Sequence, residues 1–295
     1  MFHNRTDIAA EALSRQKTGI PGLSRQEYLL HGLRADEVTV SSPEAVRLLK
    51  KPAGTYTVLD ISSLFDPAQN TLRACSAAIA DIVGKLLPPD VKDKGILAVG
   101  LGNRDITSDS VGPLTADSII ATRHLRKNLS EEFSSLTSVA VTAPGVLGST
   151  GLESAETVMS LARHISPALC VVIDALAASD HNGLCKSVQI SDTGITPGSG
   201  VGNHRFEISP KTLGIPCIAV GVPTVVDSRT LASGLIQKHG ISEENFTFDA
   251  EEDSFFVTPK DIDSLSRKCA VAISAGLNLA FQPTLSYDDI SGLLS

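Results

Sequence analysis

Tryptophan is absent from this chain, aromatic residues make up 4% of it, and methionine occurs twice. A composition so poor in large rings and rich in Ala, Val, Ile and Leu points to a tightly packed α/β protein rather than a β-sandwich. Cysteine is scarce and odd in number: Cys75, Cys170, Cys185, Cys217 and Cys269 show no CxxC spacing. That excludes a zinc signature and a disulfide framework, and reads as reduced core thiols of a cytosolic protein. No apolar run approaches the ~20 residues of a membrane span. The N-terminal MFHNRTDIAAEALSRQ lacks the apolar core of a signal peptide, so a soluble, intracellular protein without a membrane partner is expected. Basic residues are outnumbered, 25 to 33, for a net charge of -8, which argues against a nucleic-acid surface. There is no internal repeat, HExxH pair or GxSxG elbow.

At 295 residues the chain can bury a full core. Residues 1–35 read as a polar arm with a short helical pattern over Ile8–Leu13, and 36–62 as a half-exposed hairpin excursion. Apolar runs at Ile96–Leu101, Val139–Thr142, Leu169–Ile173 and Cys217–Val222 predict buried strands, and Ser187–Ile190 a further one. Between them lie helical patterns over 72–86, from Gly112-Pro113, from Glu153 and over 227–238. A last helix is expected with Thr258 as cap and Pro259 at its first position; residues 240–254 read as an acidic surface loop. Strands alternating with helices imply βαβ units, hence a single α/β domain: a mostly parallel sheet covered by helices on both faces, with a small N-terminal hairpin or arm.

Two carboxylates follow predicted strands: Asp109 in the loop after Ile96–Leu101, and Asp174 where Leu169–Ile173 ends. On neighbouring parallel strands both would project at the carboxyl edge of the sheet, where open α/β folds bind ligands. Such a pair can share a proton, one acid activating water and the other protonating a leaving group. The residues alone leave a plainer alternative open, in which Asp109 caps a helix and Asp174 satisfies loop amides. Asp192 is a third loop acid, with the pattern of a turn former. The glycine-rich stretches carry neither fingerprint of phosphate binding: Asp105 stands where a dinucleotide loop needs its third glycine, and 198–203 lacks Gly-Lys-Ser/Thr. No cofactor is therefore expected.

Several stretches together are specific. GLGNRDITSDSVGP (100–113), TAPGVLGSTGLE (142–153), VVIDALAA (171–178), QISDTGITPGSGVGNHR (189–205) and TLGIPCIAVGVPTVVD (212–227) closely resemble the germination protease family. RTDIAAEA near the N-terminus, VTPKDID and SAGLNLA match as well, so the resemblance covers residues 5–14 and 95–280. The family comprises endopeptidases of endospore-forming bacteria that degrade small acid-soluble spore proteins at germination. The resemblance implies a fold similar to hydrogenase-maturation endopeptidases, a homotetramer, a self-processing zymogen, and two functional aspartates that map onto Asp109 and Asp174. The family carries Pro-Asp-Ala-Leu-Gly-Pro where this chain has Ser108-Asp109-Ser110-Val111-Gly112-Pro113, and its segment equivalent to 228–257 is longer.

On this reading residues 1–7 are a propeptide ending at the Asp7–Ile8 bond, and 8–295 are the peptidase domain, placed in the cytoplasm of the forespore or spore core. Gly198, Gly200 and Gly202, with Asn103, are expected to line the cleft and offer N–H donors to an oxyanion. A runner-up makes Asp109 and Asp174 metal ligands with His124 or His181 as the third. A third reading is a catalytically silent oligomeric binding protein on this fold.

Overall fold

The computed structural model describes residues 6–14, 20–66, 71–129, 131–198, 206–239 and 255–294. Four strands form the parallel part of its sheet, in the order β5 (Val139–Thr142), β4 (Ile96–Gly100), β6 (Leu169–Ala178) and β8 (Cys217–Asp227). The near-continuous apolar runs of β4, β6 and β8 are what burial on both faces requires, and β5, at the edge, is only partly buried. Even-numbered Ile96, Ala98, Ile218 and Val220 pack with Leu169, Val171 and Ile173 against the helices Leu72–Leu86 and Ile262–Phe281. Leu97, Val99, Cys170, Val172 and Cys217 face the other way, onto Ala155, Val158 and Ala162 of the helix Ser154–Ile165. Glu153 and Glu156 close that helix with a capping box. All five cysteines are free and buried.

Beyond β8 the sheet turns antiparallel through β7 (Ser187–Ser191), β3 (Gly54–Asp60), β2 (Leu33–Val40) and β1 (Leu23–Leu30), and β9 (Phe256–Val257) pairs with the end of β8. The sheet is therefore mixed, and its parallel order is confined to the four strands of the core. The stretch 1–35, expected as an arm, contains all of β1 and the start of β2. LSRQEYLL is polar and mostly exposed, as an edge strand is, so it lacks the apolar alternation that reveals an inner one. Its hairpin turns on His31 and Gly32, both at positive φ (50° and 80°), the conformation of a two-residue type I′ loop. The 36–62 stretch is likewise part of the sheet, β3 pairing with both β2 and β7.

Two core strands outrun their expected ends. β6 continues past Ile173 to Ala178, and β8 passes through Pro223 to Asp227. A proline has no ladder N–H, and the ladder accommodates it with a register shift between Leu176 and Ala177 that leaves Thr224 unpaired. The last helix begins at Ile262 rather than near Pro259, because the Thr258 hydroxyl is turned back onto the Thr224 carbonyl, 2.8 Å away. The 240–254 loop lies outside the described residues.

Candidate active site

Asp174 sits inside β6, not at its end, directly paired with Gly221 of β8; Gly221 is paired in turn with Gln189 of β7. Residues in one row of a sheet point to the same face, so Asp174 and Gln189 flank a position without a side chain. Both are buried, with exposures of 6% and 8%. Ala219 and Ser191 make the neighbouring row, and small residues leave a trough across β8. A Cβ on Gly221 would come within 2.3 Å of the Leu176 side chain, which lies over that position. Asp174 Oδ1 accepts the N–H of Ala175 at 2.9 Å.

Asp109 approaches from the loop after β4. Leu101 donates its N–H to Ile173 O at 2.8 Å, tying the loop to β6 just before Asp174. A 3-10 turn over Thr107–Asp109 then brings the acid back, and its Oδ2 accepts the Asn103 N–H at 2.8 Å. Ser110, the N-cap of the helix Val111–Asp117, makes no side-chain cap bond, and the Asp109 carboxylate reaches across the loop to Asn103. Gly102, at φ 111°, makes the crossing possible: a Cβ there would lie 2.1 Å from the Asp109 carbonyl oxygen. From the far side, Ser266 Oγ donates to Thr107 O at 3.2 Å.

Asp109 and Asp174 line one cavity of about 250 Å³, together with Ile195, Thr196, Pro197, Gly198 and, from the N-terminal segment, Asp7. A second cavity of about 350 Å³ holds Lys51, Tyr56, Gln189, Ser191 and Gly221. Asp7, Leu176, Ile195 and Thr196 line both, so the N-terminal segment divides one longer groove. Two carboxylates in a confined cavity are equipped to hold and pass a proton between water and a leaving nitrogen.

The N-terminal segment is held by its backbone. The Asp7 N–H donates to Ala177 O at 2.9 Å, and Ala177 N–H donates to Asp7 Oδ2 at 3.0 Å. The Asp7 carbonyl accepts from Lys51 Nζ and from Gln189 Nε2, each at 3.0 Å. Gln189 Oε1 takes the Ala9 N–H at 2.7 Å, and Thr6 Oγ1 takes that of Ile8 at 3.0 Å. Ile8 and Ala9 are themselves core, 3% and 0% exposed, Ala9 packing with Val38, Val40, Leu49 and Tyr56. Burial pushes the Lys51 ammonium below its usual 10.5 against the opposing pull of Asp7 and Glu11. Burial also pushes Tyr56 up to about 12, while its hydroxyl donates to Pro52 O at 2.8 Å.

Of the residues singled out in the sequence, Asp7, Asp109, Asp174 and Gly198 meet at this cavity. Asn103 stands behind Asp109 and gives it its N–H. Gly200 and Gly202 lie outside the described residues. His124 is on the helix Arg123–Asn128 and His181 pairs with Asp180; neither lines the cavity. No group of three His, Cys, Asp or Glu side chains placed to hold a metal occurs among the described residues. Asp192 accepts the Thr55 N–H at 2.8 Å and joins the ends of β3 and β7. Lys51 and Gln189 went unnoticed in the sequence; a lone glutamine within the apolar strand SVQIS was the one available signal.

Residues 4–240 match the sequence model of the germination proteases. The chain is 35% identical to a germination protease of Caldanaerobacter subterraneus subsp. tengcongensis, with 98% of each chain covered. It is equally similar, at 35%, to those of Clostridium acetobutylicum (97% of this chain and 98% of the other) and Clostridium tetani (99% of each). Among solved structures, a nickel–iron hydrogenase maturation protease from Thermococcus kodakarensis aligns with 66% of this chain and 98% of its own, at 16% identity and a TM-score of 0.36.

Proposed function

The chain belongs to the germination protease family, and from that premise we propose that this endopeptidase begins the degradation of small acid-soluble spore proteins, with Asp109 and Asp174 activating water. It is made as a zymogen that removes residues 1–7 by cutting its own Asp7–Ile8 bond, and it works in the spore core as a homotetramer. No described helix is long and apolar enough to cross a membrane.

The observation that carries this reading is the shared cavity: both acids line it, and so does Asp7, the residue before the bond to be cut. One carboxylate takes a proton from water as the oxygen attacks the carbonyl carbon. The other donates a proton to the departing nitrogen, so the pair ends the cycle with the proton count it began with.

The test is incubation of the purified chain with a small acid-soluble spore protein, with products identified by mass spectrometry. Discrete internal cuts that vanish in Asp109→Asn are expected. An intact substrate would sink the reading, and equal cutting by Asp109→Asn would remove that acid from the mechanism.

A further inference from the structure

The carbonyl of Asp7 is met by two side-chain donors from different parts of the sheet. Lys51 reaches it from the loop before β3, and Gln189 from the floor of the trough on β7. Gln189 reads two residues of the bound segment at once, giving Nε2–H to Asp7 O and taking the Ala9 N–H on Oε1. Lys51 also reaches the Thr6 carbonyl at 3.2 Å. These contacts are made to backbone atoms of Asp7 and of Ala9, where the helix Ala9–Ser14 begins, so they do not depend on the side chains of the bound segment. The register explains why the donors meet the segment here. Asp174, Gly221 and Gln189 form one row, so the acid and the amide donor stand on the same face of the sheet, with the Leu176 side chain over the glycine between them.

We infer that Lys51 and Gln189 form the carbonyl-binding site of the reaction, holding the oxygen of the residue before the cleaved bond as it becomes negative. The inference rests on the reading that the Asp7–Ile8 bond is cut. Water adds to the Asp7 carbonyl carbon and loses a proton to one carboxylate of the pair. The C=O π electrons move onto oxygen, where an ammonium and an amide N–H are already in place. When the C=O bond re-forms, the C–N bond breaks and the Ile8 nitrogen takes a proton from the pair. Donors set in advance around an oxyanion act without reorganising during the reaction, and a charged one in a dry setting acts most strongly. The burial of Lys51 supports this: a partly desolvated ammonium gains more from a developing negative oxygen than from a neutral carbonyl. This gives two side chains the role that glycine patterning suggests for the 198–202 loop.

The plainer alternative is that Lys51 and Gln189 only anchor the N-terminal segment. Two readouts on the full-length chain separate the two. One is the first-order rate of self-cleavage at Asp7–Ile8. The other is hydrogen exchange at the Asp7 amide, whose bond to Ala177 O reports whether the segment is docked. Lys51→Met removes the ammonium at similar length; Gln189→Glu keeps an acceptor for Ala9 and loses the donor to Asp7. Each is expected to slow self-cleavage by ~100-fold while Asp7 stays protected, and Lys51→Arg should restore part of the rate. Rates within threefold of the parent would overturn the inference, and so would a rate loss matched by loss of Asp7 protection. A parent chain that cuts spore protein but never its own Asp7–Ile8 bond would overturn it and leave the proteolytic reading standing. A parent chain that cuts neither ends both.

Discussion

Asp7 and Ala177 exchange two hydrogen bonds: the Asp7 N–H donates to the Ala177 carbonyl at 2.9 Å, and the Ala177 N–H donates to the Asp7 carboxylate at 3.0 Å. The N-terminal segment thereby lies along β6 only three residues beyond Asp174, although 170 positions separate the partners. This closeness puts the proposed self-processing to a direct test. Incubation of the purified chain should yield a product starting at Ile8, read by N-terminal sequencing. Because Ile8 and Ala9 are already core, the shortened chain should melt close to the parent. A fully active enzyme that retains Met1 would contradict the propeptide assignment.

Asp109→Asn and Asp174→Asn should fold normally and lose at least ~100-fold in turnover, since an amide cannot pass the proton. In the proposed mechanism the two acids act on one proton, so the double variant should be scarcely worse than either single one. Additive losses in single-turnover rates would mean separate roles.

Gly102→Ala should weaken activity by displacing the loop that carries Asp109. At φ 111°, with its Cβ 2.1 Å from the Asp109 carbonyl, alanine has to displace the loop. Backbone strain of this kind costs about 1–3 kcal/mol, so melting and turnover should both fall. Gly84→Ala is the control: it sits in the helix Leu72–Leu86, with no atom within 4 Å of the added Cβ. It should leave turnover unchanged and stabilise the chain by ~0.4–1 kcal/mol. Unaltered turnover in Gly102→Ala would show that the approach of Asp109 does not depend on this glycine.

Tyr56 should make the fold sensitive to alkali. Burial raises its hydroxyl from 10.0 to about 12. Between those values the folded chain keeps a proton that the unfolded chain has lost. The stabilisation is thus whole below pH 10 and disappears as pH rises toward 12, about 2–3 kcal/mol in all. Lys51, with a lowered value, acts oppositely: its contribution grows with pH up to 10.5. Tyr56→Phe should melt slightly lower near neutrality, losing about 1 kcal/mol with its bond to Pro52. It should also flatten the decline above pH 10, and a decline identical to the parent's would exclude Tyr56 as its source.

The apolar runs at 96–101, 139–142, 169–173 and 217–222 were enough to identify the four parallel strands, because burial, on both faces for the inner three, leaves a continuous signature in the chain. The same runs placed Asp109 and Asp174 near one edge, and the motifs around them indicated the family. β1 was not legible, since an edge strand with a solvated face has no reason to alternate. Nor was the true extent of β6, because the register shift after Leu176, opposite Pro223, through which it runs on to Ala178 depends on its partner.

Whether Asp109 would reach the cavity of Asp174 was decided by a glycine at positive φ and by a hydrogen bond from Asn103. That Gln189 would share a row with Asp174 was decided by the register of β7 on β8, and that Lys51 would meet the Asp7 carbonyl by the docking of a segment 44 residues away. Strand-forming tendency and the presence of an acid are local properties, carried by a few adjacent residues and legible in them. Which acid, amide and ammonium share a cavity depends on contacts between distant parts of the chain, whose entropic cost is met only when the whole sheet assembles.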